Sequence, residues 1–151
     1  TVTKFVGTEV LDLHSPHSPI SHHSKLGIQG WMAPENMKGG KYDQKTDVYS
    51  FALVMCEIFN EKPPYSDIPR HQLKARLMDE NFRPSLDESK KAEEGSAERK
   101  SQEQFLTLME ACWATSPELR PGMRQVVQSL KEMKVNYARM EAEYRVQSVA
   151  Q

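Results

Sequence analysis

The stretch that most constrains this chain runs Asp47-Val48-Tyr49-Ser50-Phe51-Ala52-Leu53-Val54-Met55-Cys56-Glu57-Ile58-Phe59. Thr46 or Asp47 supplies a capping side chain at its start, and Asn60 followed by Pro63-Pro64 closes it. That punctuation predicts a helix of about three to four turns. Nearly every position is apolar and no face is polar throughout. A helix that is hydrophobic all round has to be enclosed by other elements on every side. The expected fold is therefore mainly α, arranged around this central apolar helix.

A chain of 151 residues has room for one domain with a substantial core. Its formal net charge of −1 gives no global basic surface for nucleic acid or an anionic membrane. No apolar run approaches the about twenty residues of a membrane span, and the first residues show no signal-peptide pattern. Cys56 and Cys112 sit inside apolar helical patterns and read as reduced, buried thiols. A soluble, cytoplasmic protein is the expectation.

Residues 1–13 carry Val2, Phe5, Val6, Val10, Leu11 and Leu13, which suit a short strand. The following run to Ser24 is rich in Ser, Pro and His and reads as a long loop. Its histidines, His14, His17, His22 and His23, have no cysteine or carboxylate at ligand spacing inside the loop. A solvated loop is the expectation, with no metal site. Ser15-Pro16 and Ser18-Pro19 are candidate acceptors for a proline-directed kinase, and the same dipeptides also mark turns. Gly27 and Gly30 permit a tight backbone path with Trp31 and Met32 as an anchor behind it. Pro34 opens a short helix, with Glu35 in its first turn facing the positive end of the dipole.

Beyond the central helix, residues 61–69 form a Pro-rich loop that delivers a helix from about Pro69 to Asp79, with Leu73, Leu77 and Met78 inward. Residues 85–103 are a charged connector, either a solvated loop or a frayed helix. Phe105, Leu108, Met109, Cys112 and Trp113 recur at helical spacing. Ser116-Pro117 caps a short turn and Pro121 opens the last helix. That helix carries Met123, Val126, Leu130, Met133, Tyr137, Met140 and Tyr144 at alternating three- and four-residue steps. Such a seam suits either a self-associating or docking tail, or a helix leaning on its own domain.

Trp31-Met32-Ala33-Pro34-Glu35, then Lys45-Thr46-Asp47-Val48-Tyr49-Ser50-Phe51-Ala52, then Cys112-Trp113 and Leu119-Arg120-Pro121 occur in that order. Together they resemble the C-terminal half of a eukaryotic protein kinase domain over residues 27–134. The wording is most similar to the tyrosine-kinase-like group, whose members mostly phosphorylate Ser or Thr. The resemblance implies a partial kinase domain over 1–134, with an activation-segment remainder in 1–35, a helical large lobe in 36–134, and a helical extension in 135–151. It further implies a substrate-binding floor (the P+1 site) made by Gly27, Ile28, Gln29, Gly30 and Trp31, and a docking surface near Leu73. The family pairs the positions of Glu35 and Arg120. A buried carboxylate opposite a guanidinium fork is also what their apolar and turn-forming surroundings call for. In the family the aspartate matching Asp47 accepts hydrogen bonds from the catalytic-loop backbone.

Kinase chemistry needs a glycine-rich phosphate loop, a paired strand lysine, a catalytic-loop aspartate and a metal-binding Asp-Phe-Gly. This sequence has no Gly-x-Gly-x-x-Gly and no His-Arg-Asp. Either Thr1 lies just beyond an Asp-Phe-Gly, which is the favoured reading, or Lys4-Phe5-Val6 is a degenerate version of it. ATP and Mg²⁺ are implied for the intact parent domain, and none for this chain alone. The implied partners are the parent's small lobe and catalytic loop, and a protein substrate. Ile28 stands where the family uses a bridging threonine, so either the parent is a pseudokinase or the loop aligns differently. Gly30, in place of a basic residue before Trp31, leans the parent towards Ser/Thr. The rival reading is a non-catalytic helical interaction module.

Overall fold

The structure is a computed structural model and describes residues 30–149. The expected strand in 1–13, the loop carrying Ser15 and Ser18 with its histidines, and Gly27, Ile28 and Gln29 lie outside those residues. Among the described residues there are five α-helices and no strand: α1 (Pro34–Met37), α2 (Gln44–Asn60), α3 (Arg70–Arg76), α4 (Ala97–Cys112) and α5 (Met123–Val149). Single 3₁₀ turns at Glu88–Lys90 and Pro117–Leu119 flank α4.

Helix α2 begins three residues before Asp47, because its cap is Asp43. The Asp43 carboxylate accepts from the backbone N–H of Lys45 at 2.7 Å and of Thr46 at 3.1 Å. The Asp43 N–H donates back to Thr46 Oγ1 at 3.3 Å, closing a reciprocal capping box. Neither Thr46 nor Asp47 is therefore the cap. Thr46 is the far partner of the box, and Asp47 lies exposed in the first turn.

Val48, Ala52, Leu53 and Cys56 are wholly buried on α2, where they meet Met109 and Cys112 of α4 and Val126 of α5 in one core. Enclosure on all sides, however, does not hold among the described residues. Val54 is 39% and Ile58 64% exposed, and with Asp47 and half-buried Phe51 they form one open stripe along α2. Such spacing places all four on a single helix face. Both thiols are free and buried, and burial pushes each up to about 11, so they stay protonated.

The chain enters α2 through Gly39 and Gly40, where two different demands meet. Gly39 has φ +79°, in the left-handed region, and a Cβ on Gly40 would lie 2.7 Å from the Glu35 carbonyl oxygen. The Gly40 N–H donates to that same oxygen at 2.8 Å. Helix α3 is shorter than its periodicity indicates and stops at Arg76. Leu77 caps it and is buried, but Met78, expected inward, is 55% exposed because the chain has already turned away.

Much of the charged connector is helical: α4 starts at Ala97, where the Ser96 hydroxyl accepts from the Arg99 N–H at 3.0 Å. Met123, Val126 and Leu130 bring the start of α5 onto the core. The same stripe continues half-buried through Met133, Tyr137 and Met140, and Tyr137 Oη donates to Glu98 Oε1 at 3.4 Å. The seam thus faces α4, with the two helices antiparallel; the side chain of Tyr144 lies outside the described part.

Candidate functional site

Two arginines, each followed by proline, organise the region around α1. A residue before proline is held extended, and Arg120 has φ −71° and ψ 140°. Its side chain is wholly buried. Nη1 donates to Glu35 Oε1 at 2.6 Å and Nη2 to Glu35 Oε2 at 2.9 Å, a bidentate pair. The remaining donors reach the carbonyls of Lys45 at 3.0 Å, Ala114 at 2.8 Å and Thr115 at 3.2 Å. Lys45 Nζ donates in turn to the Arg120 carbonyl. One guanidinium therefore joins α1, the start of α2 and the end of α4.

Arg83 is the partner that periodicity did not reveal. Its Nε and Nη2 donate to the Trp113 carbonyl at 3.0 and 2.6 Å, and Nη2 also reaches Thr115 Oγ1 at 3.2 Å. Both guanidiniums lie over the ring of buried Tyr49, Arg83 at 5.1 Å and Arg120 at 4.9 Å from its centroid. Helix α4 has no basic residue in its own last turn. Arg83 and Arg120 instead place cations just past its end, on the carbonyls of the cap residue Trp113 and of Ala114 and Thr115. The signal was present: Phe82-Arg83-Pro84 repeats the apolar-Arg-Pro pattern of Leu119-Arg120-Pro121.

Burial pushes the Glu35 carboxyl up, but the Arg120 hydrogen bond, a backbone hydrogen bond and the Arg120 charge together outweigh it. The net position is below the ordinary 4.5, against a smaller upward push from Asp43. A carboxyl whose folded value is depressed adds stability above its unfolded value and loses it as pH falls through the folded one. The melting temperature should therefore drop on acidification from about pH 5 to about pH 3, and less steeply in Glu35→Gln. Thermal melts of both proteins across that range check this, and equal slopes would remove Glu35 from the acid response.

Gly30 and Trp31 line a groove of about 390 Å³. The same groove is lined by Pro63, Pro64, Tyr65 and Ile68, and by Arg70 and Leu73 of α3. Trp31 Nε1 donates to Glu57 Oε2 of α2 at 3.2 Å, which fixes the indole. Tyr65 holds φ +60°, a rare conformation for a residue with a side chain. Its ring stacks on Phe82 at 5.3 Å and its hydroxyl donates to the Phe82 carbonyl at 3.4 Å. A Cβ on Gly30 would meet Tyr65 only at ordinary contact, 3.9 Å, so no tight path depends on Gly30. The mainly apolar walls with one cation at the edge suit a side chain of an extended peptide.

Glu35 and Arg120 thus meet, Gly30, Trp31 and Leu73 line one groove, and Asp47 stands apart. The Asp47 side chain makes no hydrogen bond among the described residues. A larger cleft of about 680 Å³ between α4 and α5 contains none of these residues. Among the described residues no group of three or more His, Cys, Asp or Glu converges that could hold a metal ion. No helix among the described residues is long and apolar enough to cross a membrane.

The profile of the family described as protein tyrosine and serine/threonine kinase matches residues 13–130. A probable serine/threonine-protein kinase of Dictyostelium discoideum is 32% identical over 117 residues, covering 78% of this chain and 7% of that protein. Mitogen-activated protein kinase kinase kinase 7 of Drosophila melanogaster is 32% identical over 112 residues, covering 74% and 15%. Serine/threonine-protein kinase STY17 of Arabidopsis thaliana is 26% identical over 110 residues, covering 73% and 17%. The chain therefore spans less than a fifth of the length of each of these relatives.

Proposed function

This chain belongs to the protein tyrosine and serine/threonine kinase family, and we propose that it supplies the peptide-holding, helical part of a serine/threonine kinase domain. In this reading the intact parent transfers the γ-phosphate of ATP to protein hydroxyls. ATP and Mg²⁺ would be held by the parent's other lobe and catalytic loop. The observation that carries the reading is the groove that joins Gly30 and Trp31 to Pro63, Tyr65 and Leu73. It lies beside α1, which the Glu35–Arg120 pair ties to the rest of the lobe. The open stripe of Asp47, Phe51, Val54 and Ile58 is the face on which the remainder of the parent domain would seat. Asn136, Tyr137 and Met140 still meet the first turns of α4, which favours a helix leaning on its own lobe over a self-associating tail.

The test joins this chain to the small lobe and catalytic loop of a related serine/threonine kinase and measures γ-phosphate transfer to serine peptides. Transfer is expected from the folded chimera and none from the 151-residue chain alone. Trp31→Ala should raise the peptide KM at least about tenfold with little change in kcat, as for lost uniform binding. A folded chimera that binds ATP but transfers no phosphate would favour a non-catalytic interaction module. Phosphate transfer by the isolated chain would contradict the division of labour.

A further inference from the structure

The groove at Trp31 has one charged residue in its lining, Arg70, among walls that include Trp31, Pro64, Tyr65, Ile68 and Leu73. Two of these walls are pinned. The Trp31 indole is held by Glu57, and Tyr65 sits at φ +60° with its ring stacked on Phe82. Walls already in place lower the ordering cost of binding. At about 390 Å³ the space lies just inside the range of roughly 300–1,000 Å³ for binding pockets. Apolar walls of that extent favour a large aliphatic side chain over a polar one.

Charge decides what accompanies that side chain. The carboxylates nearest in the chain are already engaged. Glu57 accepts from Trp31 at 3.2 Å, Glu61 pairs with Lys90, and Asp67 accepts from the Ser85 hydroxyl at 3.3 Å. Arg70 is exposed and pairs with no carboxylate among the described residues. It opens helix α3, which also carries His71, Lys74 and Arg76 and no acid. A basic peptide residue would meet no carboxylate in the lining, whereas an acidic one meets Arg70. Alternate residues of an extended peptide share a face, so a side chain in the groove and one two positions away are read together. We propose that the groove selects serine substrates in which a large aliphatic side chain beside the acceptor is accompanied, two residues away, by a carboxylate that meets Arg70. The word substrate rests on the phosphate-transfer reading; the selectivity rests on the groove alone.

The test titrates peptides into the full, isotope-labelled chain and follows the indole N–H resonance of Trp31 by NMR, with that of Trp113 as internal control. The peptide Asp-Ser-Leu-Ala-Asp, which places an acid two residues to either side of the Leu, should shift the Trp31 resonance saturably. Replacing its Leu by Lys should weaken binding at least about tenfold, and replacing both Asp by Lys about fivefold. Arg70→Glu, at an exposed position, should reverse the charge preference, so that Lys-Ser-Leu-Ala-Lys binds tighter than the Asp peptide, with an unchanged thermal melt. No saturable shift, equal binding of the Leu and Lys forms, or an acid preference untouched by Arg70→Glu would overturn the proposal. In the kinase chimera, phosphate transfer with the same kcat/KM to all of these peptides would overturn the selectivity and leave the kinase reading standing. A folded chimera without transfer, alongside the expected Trp31 shifts, would remove the kinase reading and leave the selectivity standing.

Discussion

Arg120→Ala should lower the unfolding free energy by about 3–5 kcal/mol, the range for removing one partner of a buried ion pair. The loss has three sources in one side chain. The Glu35 carboxylate keeps its partial burial without its counter-charge. The carbonyls of Ala114 and Thr115, just past the end of α4, lose their donors, and so does that of Lys45. The Tyr49 ring loses one of the cations over it. Arg120→Lys should recover little, because an ammonium cannot make the bidentate fork or span the same carbonyls. Urea denaturation followed by helical circular dichroism measures both. A change under about 1 kcal/mol for the alanine variant, the scale of an exposed pair, would show that Arg120 does not hold these elements together.

Tyr49→Ala should cost a comparable amount, about 3–5 kcal/mol, as for emptying a large aromatic from a core. Tyr49 is 2% exposed and packs between α2 and the two arginines. Tyr49→Phe keeps the ring beneath both guanidiniums and should cost no more than about 1 kcal/mol. The same denaturation series separates the two substitutions. If phenylalanine proved as costly as alanine, the hydroxyl and not the ring would be the element that matters. The exposed ion pairs Lys38–Glu80 and Lys90–Glu61, by contrast, should each be nearly silent in such a series.

The helices were legible wherever local periodicity and punctuation spoke together. The apolar run of α2, the Pro34 start of α1 and the Phe105 to Trp113 spacing of α4 are patterns within a few turns of chain. Ala97 to Gln104 has no apolar repeat, and its helical state follows from the Ser96 cap and from propagation of a helix anchored at Met109 and Cys112. The Asp43-x-x-Thr46 box was present in the sequence but inverts the usual order of carboxylate and hydroxyl, so the cap was placed too late.

What the sequence alone determined is the mainly helical class, the kinase resemblance and the candidate partners Glu35 and Arg120, because residue type and local spacing carry that information. Only the tertiary structure decided which groups meet. Glu35 and Arg120 stand 85 residues apart, and Arg83 reaches Trp113 across 30. It also decided that Val54 and Ile58 stay in water while Val48 and Leu53 do not, although all four are equally apolar. Burial depends on which elements arrive from elsewhere in the chain, and no short-range pattern encodes that arrival.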